Sequence, residues 1–322
     1  MRPFSYDRAA GAPGDAGTTW LAGGTTLLDL MKLDVMRPER LADINGLGLA
    51  EVRLDAQGLH LGALARMAEV AGNAEVQRHF PVVAQSLALA ASQQLRNMAS
   101  LGGNVLQRTR CPYFRDPSHA ACNKRNPGSG CGAMDGANRL QAVLGTSDAC
   151  IAAYPGDFAQ ALVALDAEVT LRGAAGERRM RFADLHVQPG TTPERETTLR
   201  PGELITGFTV PAGPWAARSL YLKVRDRESY AFALASAAVA LDLDGKVVRE
   251  ARIALGGVAT VPWRAAEAEA DLRGKVLDEA SATRAAEAAF AAARTHGENA
   301  FKPELGRRTL VRALLLAKRM EA

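Results

Sequence analysis

The chain has 322 residues, of which 48% are hydrophobic and 23% are charged, as is ordinary for a folded protein of two or three packed units. The formal net charge is only +4, and no basic cluster points to nucleic acid as a partner. No stretch reaches the ~18 consecutive apolar residues of a membrane-spanning helix. Residues 1–17 also lack the apolar segment of a secretory signal. We therefore expect a cytoplasmic chain, or a periplasmic one if a signal-bearing partner exports it already folded.

The first third of the chain predicts short strands and helices. Residues 18–45 predict a strand, two glycines and then a helix that Pro38 ends, because proline disfavours helix in the residue before it. Residues 51–63 alternate apolar and polar side chains around Gly58 and predict a hairpin. Residues 81–100 place apolar side chains on one face and predict a single helix.

Regular patterns return after residue 154 and continue to the end of the chain. Asp157 is expected to cap a helix, and a strand or helix near residue 235 is followed by two strands about the Asp244–Gly245 turn. A boundary between two parts of the chain is predicted near residues 213–217, which read GPWAA. The remaining predicted elements are a helix over 158–167, strands over 168–173 and 201–211, a meander from residue 219, and helices over 278–293 and 307–320.

Two glycine-rich loops are candidates for binding an anion. Ala22–Thr26 reads AGGTT and precedes a helix, so its backbone N–H groups and two hydroxyls can approach a phosphate. Ser100–Asn104 reads SLGGN and has the same character. Neither loop matches the P-loop or the dinucleotide fingerprint of strand–helix folds. Spacing alone leaves an ordinary tight turn open as the alternative for each.

The four cysteines all lie in one irregular segment, residues 105–150, which is rich in Arg, Asn, Gly and Pro. A segment of this length without apolar periodicity needs something other than hydrophobic burial to organise it. The cysteines lie 11, 9 and 19 residues apart, without the paired C-x₂₋₄-C spacing usual for zinc. An iron–sulfur cluster, a zinc site, disulfides and unrelated buried thiols all remain open on spacing alone. The residues concerned are Cys111, Cys122, Cys131 and Cys150.

Several motifs together resemble the FAD-binding subunits of the xanthine dehydrogenase family over nearly the whole chain. AGGTTLLDLMK and SLGGN resemble the two FAD loops of that family, and YPGDFAQALVALDA resembles its characteristic helix start. GELITGFTVP and KVRDRESYAFALASAAVAL resemble the part that borders the flavin and enters a C-terminal domain. The cysteine-containing form resembles the FAD subunit of bacterial periplasmic aldehyde oxidoreductases, and the 4-hydroxybenzoyl-CoA reductase flavoprotein has a comparable insert.

The resemblance implies a set of cofactor-binding residues. Backbone groups of the first loop would hold the FAD pyrophosphate, and the second loop would form another wall. Asp157 would bind cofactor hydroxyls, Leu204 and Lys223 would border the isoalloxazine ring, and Thr109 would reach a phosphate. Four cysteines would hold a 4Fe–4S cluster. The loop residues concerned are Ala22, Gly23, Gly24, Thr25 and Thr26 in the first loop, and Ser100, Gly103 and Asn104 in the second.

The resemblance also implies an α+β fold and a function. Residues 1–215 would form a two-part FAD-binding domain of the vanillyl-alcohol-oxidase type carrying the insert 105–150, and residues 216–322 a smaller C-terminal domain. The chain would relay electrons for an aldehyde oxidoreductase. Its partners would be a large subunit with the molybdenum cofactor, a small subunit with 2Fe–2S clusters and an external electron acceptor. The chain itself would hold no residue that acts on the aldehyde.

Three other functions remain open on the sequence. One is the flavoprotein subunit of another molybdenum hydroxylase, of the 4-hydroxybenzoyl-CoA reductase type. Another is a self-contained flavin oxidase, which would need its own base beside the flavin. The third is a zinc-stabilised interaction module, which would be colourless.

We predict that FAD is held without a covalent bond, because neither glycine loop contains a His or Cys that could attack the flavin. Acid precipitation of the purified protein should leave the yellow colour in the supernatant. Flavin that stays in the protein pellet would contradict this.

Overall fold

The computed structural model describes residues 1–9 and 17–321. The N-terminal unit is a small parallel sheet with strand order β1-β3-β2. Helix α1 makes the crossover from β2 to β3 that a parallel pair requires. This places the AGGTT loop at the carboxyl end of β2. The elements are β1 (Ser5–Arg8), β2 (Thr18–Leu21), α1 (Leu27–Lys32) and β3 (Arg40–Asp43).

The second unit is a five-stranded antiparallel sheet in the order β4-β5-β8-β6-β7, covered by short helices. Strand β8 pairs with β5, which lies far earlier in the chain. The sheet therefore joins two distant parts of the sequence. Its strands are β4 (Val52–Asp55), β5 (Gly58–Gly62), β6 (Glu168–Gly173), β7 (Gly176–Arg181) and β8 (Leu204–Pro211). Its helices are α2 (Met67–Gly72), α3 (Ala74–His79), α4 (Pro81–Ala88), α5 (Gln93–Met98), α6 (Leu101–Val105), α7 (Pro112–Arg115) and α8 (Phe158–Ala164).

The third unit is a four-stranded sheet in the order β12-β11-β10-β9 with three helices packed on it. Alternate residues of β10 enter two different cores: Val239 and Leu241 join the C-terminal core, and Ala238 and Ala240 join the core of the second unit. The elements are β9 (Ser219–Val224), β10 (Ala235–Asp244), β11 (Val247–Gly256), β12 (Trp263–Arg264), α9 (Ala266–Leu272), α10 (Glu279–Ala289) and α11 (Lys302–Lys318).

One predicted helix is wrong in its extent. Residues 81–100 form α4 and α5 rather than one helix, and the chain turns between them with Ala91 at a φ of 48°. The N-cap of α5 is Ser92, whose hydroxyl accepts a hydrogen bond from the N–H of Leu95 at 3.3 Å. The serine cap begins α5 as a separate helix. The spacing of apolar residues did not indicate this second helix start.

The cysteine-containing segment is irregular, as its composition predicts, and α7 is its only helix among the described residues. The sequence indicated that this insert lies on the FAD-binding part, and the structure adds contacts with the C-terminal unit. The N–H groups of Val143 and Leu144 both donate to the carbonyl of Val258, at 2.8 and 3.0 Å. The insert is therefore held between the second and third units. No helix within residues 1–9 and 17–321 is long and apolar enough to cross a membrane.

A buried lysine ties the insert to the C-terminal unit. Lys302 is fully buried, and its ammonium donates to the carbonyls of Leu140 at 3.0 Å and Gly257 at 2.6 Å. Its long side chain thus satisfies one carbonyl of the insert and one that follows β11, where water cannot reach.

We predict that Lys302→Met destabilises the protein by about 2 kcal/mol, because two buried carbonyls lose their donor. The thermal unfolding midpoint should fall by a few degrees, measured beside the matched variant Lys246→Met, whose lysine is exposed. Equal midpoints for the two variants would contradict a bridging role.

Candidate functional site

A cavity of about 330 Å³ lies where the N-terminal unit meets the second unit. Both glycine loops and β8 line it, so we call it the glycine-loop cavity. The sequence-predicted residues that line it are Ala22, Gly23, Gly24, Thr25, Thr26, Ser100, Gly103 and Leu204. The fold thus brings together most of the residues that the resemblance assigned to FAD.

The first loop contains a run of backbone N–H groups that make no hydrogen bond to the described residues. In the described parts of the chain, no acceptor takes a hydrogen bond from the N–H groups of Gly23 to Thr26. Gly24 has a φ of +70°, a conformation that side chains with a Cβ rarely adopt. Thr26 occupies the N-cap position of α1 without a side-chain cap. Free N–H groups at the start of a helix form an anion site.

Position 23 requires glycine because the first loop closely approaches the segment before the second loop. A Cβ on Gly23 would lie 2.0 Å from the carbonyl oxygen of Met98, two residues before the second loop. Only glycine can therefore bring the first loop this close to the segment that leads into Ser100.

The second loop differs from the first in its hydrogen bonding, although the two loops are similar in composition. The N–H groups of Leu101 and Gly102 donate to the carbonyls of Ala65 at 3.1 Å and Ala63 at 2.8 Å. The hydroxyl of Ser100 accepts the N–H of Gly103 at 3.2 Å. Because its donors are used inside the protein, this loop is a close-packed wall of the cavity.

Two further predicted residues lie beside the cavity lining. The amide of Asn104 donates to the sulfur of Met67 at 3.4 Å, and its Oδ1 atom is buried without a hydrogen-bond donor among the described residues. A buried amide oxygen without a donor is rare in folded proteins and favours a ligand donor there. Thr109 lies in a neighbouring cavity, where its hydroxyl donates to the carbonyl of Ala153 at 2.9 Å.

Asp157 and Lys223 form a buried ion pair with 2.8 Å between the ammonium and Oδ2. Tyr221 donates its hydroxyl to the other oxygen of Asp157 at 2.6 Å, and Lys223 also donates to the carbonyl of Leu89 at 3.1 Å. Burial raises the pKa of the Asp157 carboxyl, and the Lys223 charge opposes that rise. Asp157 stands at the N-cap of α8 without a side-chain cap, so the capping role predicted for its side chain is wrong. Neither residue lines the glycine-loop cavity.

The four cysteines converge around one small cavity within the insert. All four are free thiols, so the structure forms no disulfide among them. Burial raises the pKa of the Cys111 thiol to about 11. The thiols of Cys131 and Cys150 share a hydrogen bond, which lowers the pKa of Cys131 and raises that of Cys150. No group of three or more His, Cys, Asp or Glu side chains is arranged to hold a metal ion among residues 1–9 and 17–321.

Backbone N–H groups surround the cysteine sulfurs. The N–H of Ala152 donates to the Sγ atom of Cys150 at 3.5 Å, and backbone groups of Tyr113 and Phe114 hydrogen-bond to Cys111. Such donors stabilise negative charge on sulfur, as thiolate ligands require.

Ion pairs anchor the insert to α1. Asp29 in the first turn of α1 accepts hydrogen bonds from Arg115 at 2.7 Å and from Arg110 at 3.2 Å. These arginines, led by Arg115, hold the pKa of the Asp29 carboxyl below its usual range. The helix that follows the first glycine loop is therefore tied directly to the residues flanking Cys111. Sequence reasoning missed Asp29, because nothing in its spacing marks its distant partners.

Comparison with known proteins places the chain in a family. Residues 1–213 match the FAD binding domain in molybdopterin dehydrogenase, and residues 220–317 match the CO dehydrogenase flavoprotein C-terminal domain. The chain belongs to the FAD-binding subunits of the molybdopterin dehydrogenase family. It is thus an oxidoreductase subunit with an FAD-binding domain, as the sequence predicted.

The relatives described here cover most or all of the chain. It is 45% identical over 328 residues to the aldehyde oxidoreductase FAD-binding subunit PaoB of Escherichia coli (strain K12), with 99% of each chain covered. It is 29% identical over 284 residues to the glyceraldehyde dehydrogenase medium chain of Sulfolobus acidocaldarius, covering 86% of this chain and 83% of that relative. A carbon monoxide dehydrogenase structure from Hydrogenophaga pseudoflava superposes with a TM-score of 0.75 and 26% identity, covering 98% of this chain and 97% of that one. The predicted fold, an FAD-binding part followed by a smaller C-terminal domain, is confirmed.

We predict that Gly24→Val abolishes FAD binding while the C-terminal unit stays folded. The substitution strains a residue with φ of +70°, and its Cβ would lie 2.8 Å from the Leu28 side chain. FAD per chain and circular dichroism should be measured beside Gly46→Val, since a Cβ at Gly46 meets nothing within 4 Å. Full flavin content in a soluble Gly24→Val protein would show that the loop does not bind FAD.

Proposed function

We propose that this chain is the FAD- and 4Fe–4S-carrying electron-transfer subunit of a molybdenum-cofactor aldehyde oxidoreductase. The observation that carries the proposal is the convergence of four free thiols in an insert tied by Asp29 to the helix of the first glycine loop. The 45% identity to an aldehyde oxidoreductase FAD-binding subunit supports the substrate class.

The glycine-loop cavity fits the FAD pyrophosphate. Gly23 to Thr26 offer unpartnered N–H groups, the hydroxyls of Thr25 and Thr26 lie in the same loop, and the second loop closes the opposite wall. Leu204 supplies an apolar contact in that cavity, and the orphaned Oδ1 of Asn104 offers an acceptor beside it. When bound, FAD would accept electrons and release them to an external acceptor.

We propose that Asp157 accepts hydrogen bonds from cofactor hydroxyls and that Lys223 borders the flavin ring. Their ion pair is almost fully buried, with side-chain exposures of 4% and 1%, so Lys223 is not a surface lysine. The lysine charge would favour a reduced, anionic flavin near it, and Tyr221 would keep the carboxylate in place. The hydroxyl of Thr109 donates to the carbonyl of Ala153. A phosphate contact by Thr109 would require its hydroxyl to give up that hydrogen bond.

The four thiols around the cysteine cavity are the donor set that a 4Fe–4S cluster takes, although they are not arranged to hold a single metal ion. Such a cluster takes one thiolate at each of its four irons, and the insert supplies four thiols from separate loops. Backbone N–H groups directed at the sulfurs of Cys111, Cys131 and Cys150 would balance the added negative charge. The residues that would bind it are Cys111, Cys122, Cys131 and Cys150.

In the proposed complex the aldehyde is oxidised on a large partner subunit that holds the molybdenum cofactor. A small partner with 2Fe–2S clusters conveys the electrons to this chain, which passes them to an external acceptor. This chain needs no acid or base toward the aldehyde. Its own residues bind and orient the cofactors and keep Asp157 and Lys223 away from water.

An absorption spectrum with metal analysis of the protein as purified tests the proposal. A flavin band near ~450 nm with a broad shoulder near ~400 nm, and about four irons per chain, is the expected result. A colourless protein with bound zinc would favour an interaction module. Flavin without iron would refute the cluster and keep the FAD assignment, as in other molybdenum hydroxylases.

We predict that Cys131→Ser releases iron, lowers the thermal midpoint and weakens FAD retention, because the insert has too little apolar surface of its own to stay ordered. Iron and FAD per chain and the unfolding midpoint should be measured beside Ser118→Ala, an exposed position in the same insert. Unchanged iron in Cys131→Ser would contradict the proposed ligand set.

A further inference from the structure

A chain of charged side chains joins the glycine-loop cavity to the cysteine cavity. Its centre is Glu196, whose two carboxylate oxygens contact different cations: Oε1 lies 2.8 Å from the ammonium of Lys124, and Oε2 accepts from the guanidinium of Arg108. These side chains line a cavity of about 300 Å³ that adjoins the glycine-loop cavity. All three are mostly buried, with exposures of 23% for Glu196 and Arg108 and 11% for Lys124.

Arg108 is the member that reaches the glycine-loop cavity. It lines both that cavity and the adjoining one. Its guanidinium also lies 4.5 Å from the ring centre of Phe114, which is fully buried in the small core of the insert. A planar cation held between a carboxylate and an aromatic ring has few other positions available to it. Its location in the glycine-loop cavity therefore depends on Glu196 and on the insert.

Lys124 is the member that reaches the cysteines. It lines the cysteine cavity together with Cys150. Its ammonium also donates to the carbonyl of Pro193 at 2.9 Å, in the segment that carries Glu196. The lysine thus fixes the part of the insert near Cys150 to the loop that holds the carboxylate.

We propose that Glu196 is a positioning residue that couples the two cofactor sites, holding Arg108 against the FAD cavity and Lys124 against Cys150. This inference rests on the proposed function. Burial raises the pKa of the Glu196 carboxyl, but its two cations outweigh burial and leave that pKa below its usual range. The carboxylate is therefore charged at neutral pH, as a link between two cations requires. Removing that charge leaves both cations partly buried without a counter-charge.

The test is a set of variants in the full chain with its cofactors: Glu196→Gln, Arg108→Met, Lys124→Met, and Glu196→Gln combined with Lys124→Met. Glu304→Gln is the control, because Glu304 pairs with two arginines on an exposed helix face. The measurements are the rate of FAD release by flavin fluorescence, the rate of iron release to a chelator and the reduction potential of the cluster.

Glu196→Gln should raise the rates of FAD release and of iron release by about tenfold each, which corresponds to roughly 1.4 kcal/mol, because each cation loses a charge-assisted hydrogen bond. Arg108→Met should mainly speed FAD release, and Lys124→Met mainly iron release. Lys124→Met should also lower the cluster potential, because a cation beside Cys150 favours the reduced state, and Lys124→Arg should restore it. Adding Lys124→Met to Glu196→Gln should produce little further change, because the link is already broken.

If Glu196→Gln releases FAD and iron at the wild-type rates, the inference is wrong. It is also wrong if the effects of Glu196→Gln and Lys124→Met on these rates are additive in the double variant. If the wild-type protein contains FAD and no iron, the cluster proposal fails, and the coupling is judged by FAD release and by the additivity of the variants. If it contains no FAD, both proposals fail. These outcomes separate an error in the coupling from an error in the cofactors.

Discussion

The rest of the structure depends on how the cysteine-containing insert is held, since it has almost no apolar core of its own. Its small core contains three of the cysteines themselves, beside Leu30 of α1. Charged contacts fix it on one side to Asp29, and backbone hydrogen bonds to Val258 fix it on the other. Order in this segment therefore comes from thiols, ion pairs and neighbouring units rather than from burial of its own side chains.

This arrangement connects the glycine-loop cavity with the cysteine cavity through residues that lie close together in the sequence. Asp29 lies on the helix that begins after the first glycine loop, and Arg110, one of its partners, is adjacent to Cys111. Arg108 precedes that cysteine by three residues and lines the glycine-loop cavity. Under the proposed function, a change in the cysteine cavity would reach the FAD site through these contacts. Disorder in the insert and loss of flavin are thus expected to occur together.

Much of the fold could be predicted from the sequence, because its signals are local. The hairpin about Gly58, the Asp244–Gly245 turn and the helix after the first glycine loop all form. The segment around residue 235 stayed ambiguous between helix and strand because β10 is buried on both faces and shows no alternation. The glycine loops could be found from composition, but their different hydrogen bonding could not. Neither could Glu196 or Asp29, whose partners lie more than 70 residues away along the chain.

Hydrogen–deuterium exchange of the purified protein, before and after iron is removed with a chelator, tests most directly whether bound thiolates organise the insert. Peptides from residues 111–150 should lose most of their protection when iron is removed, and peptides from α1 and the first glycine loop should lose part of theirs. Strands β10 and β11 should keep their protection, since their core does not contain the cysteines. Unchanged protection across residues 111–150 after complete iron removal would contradict the account.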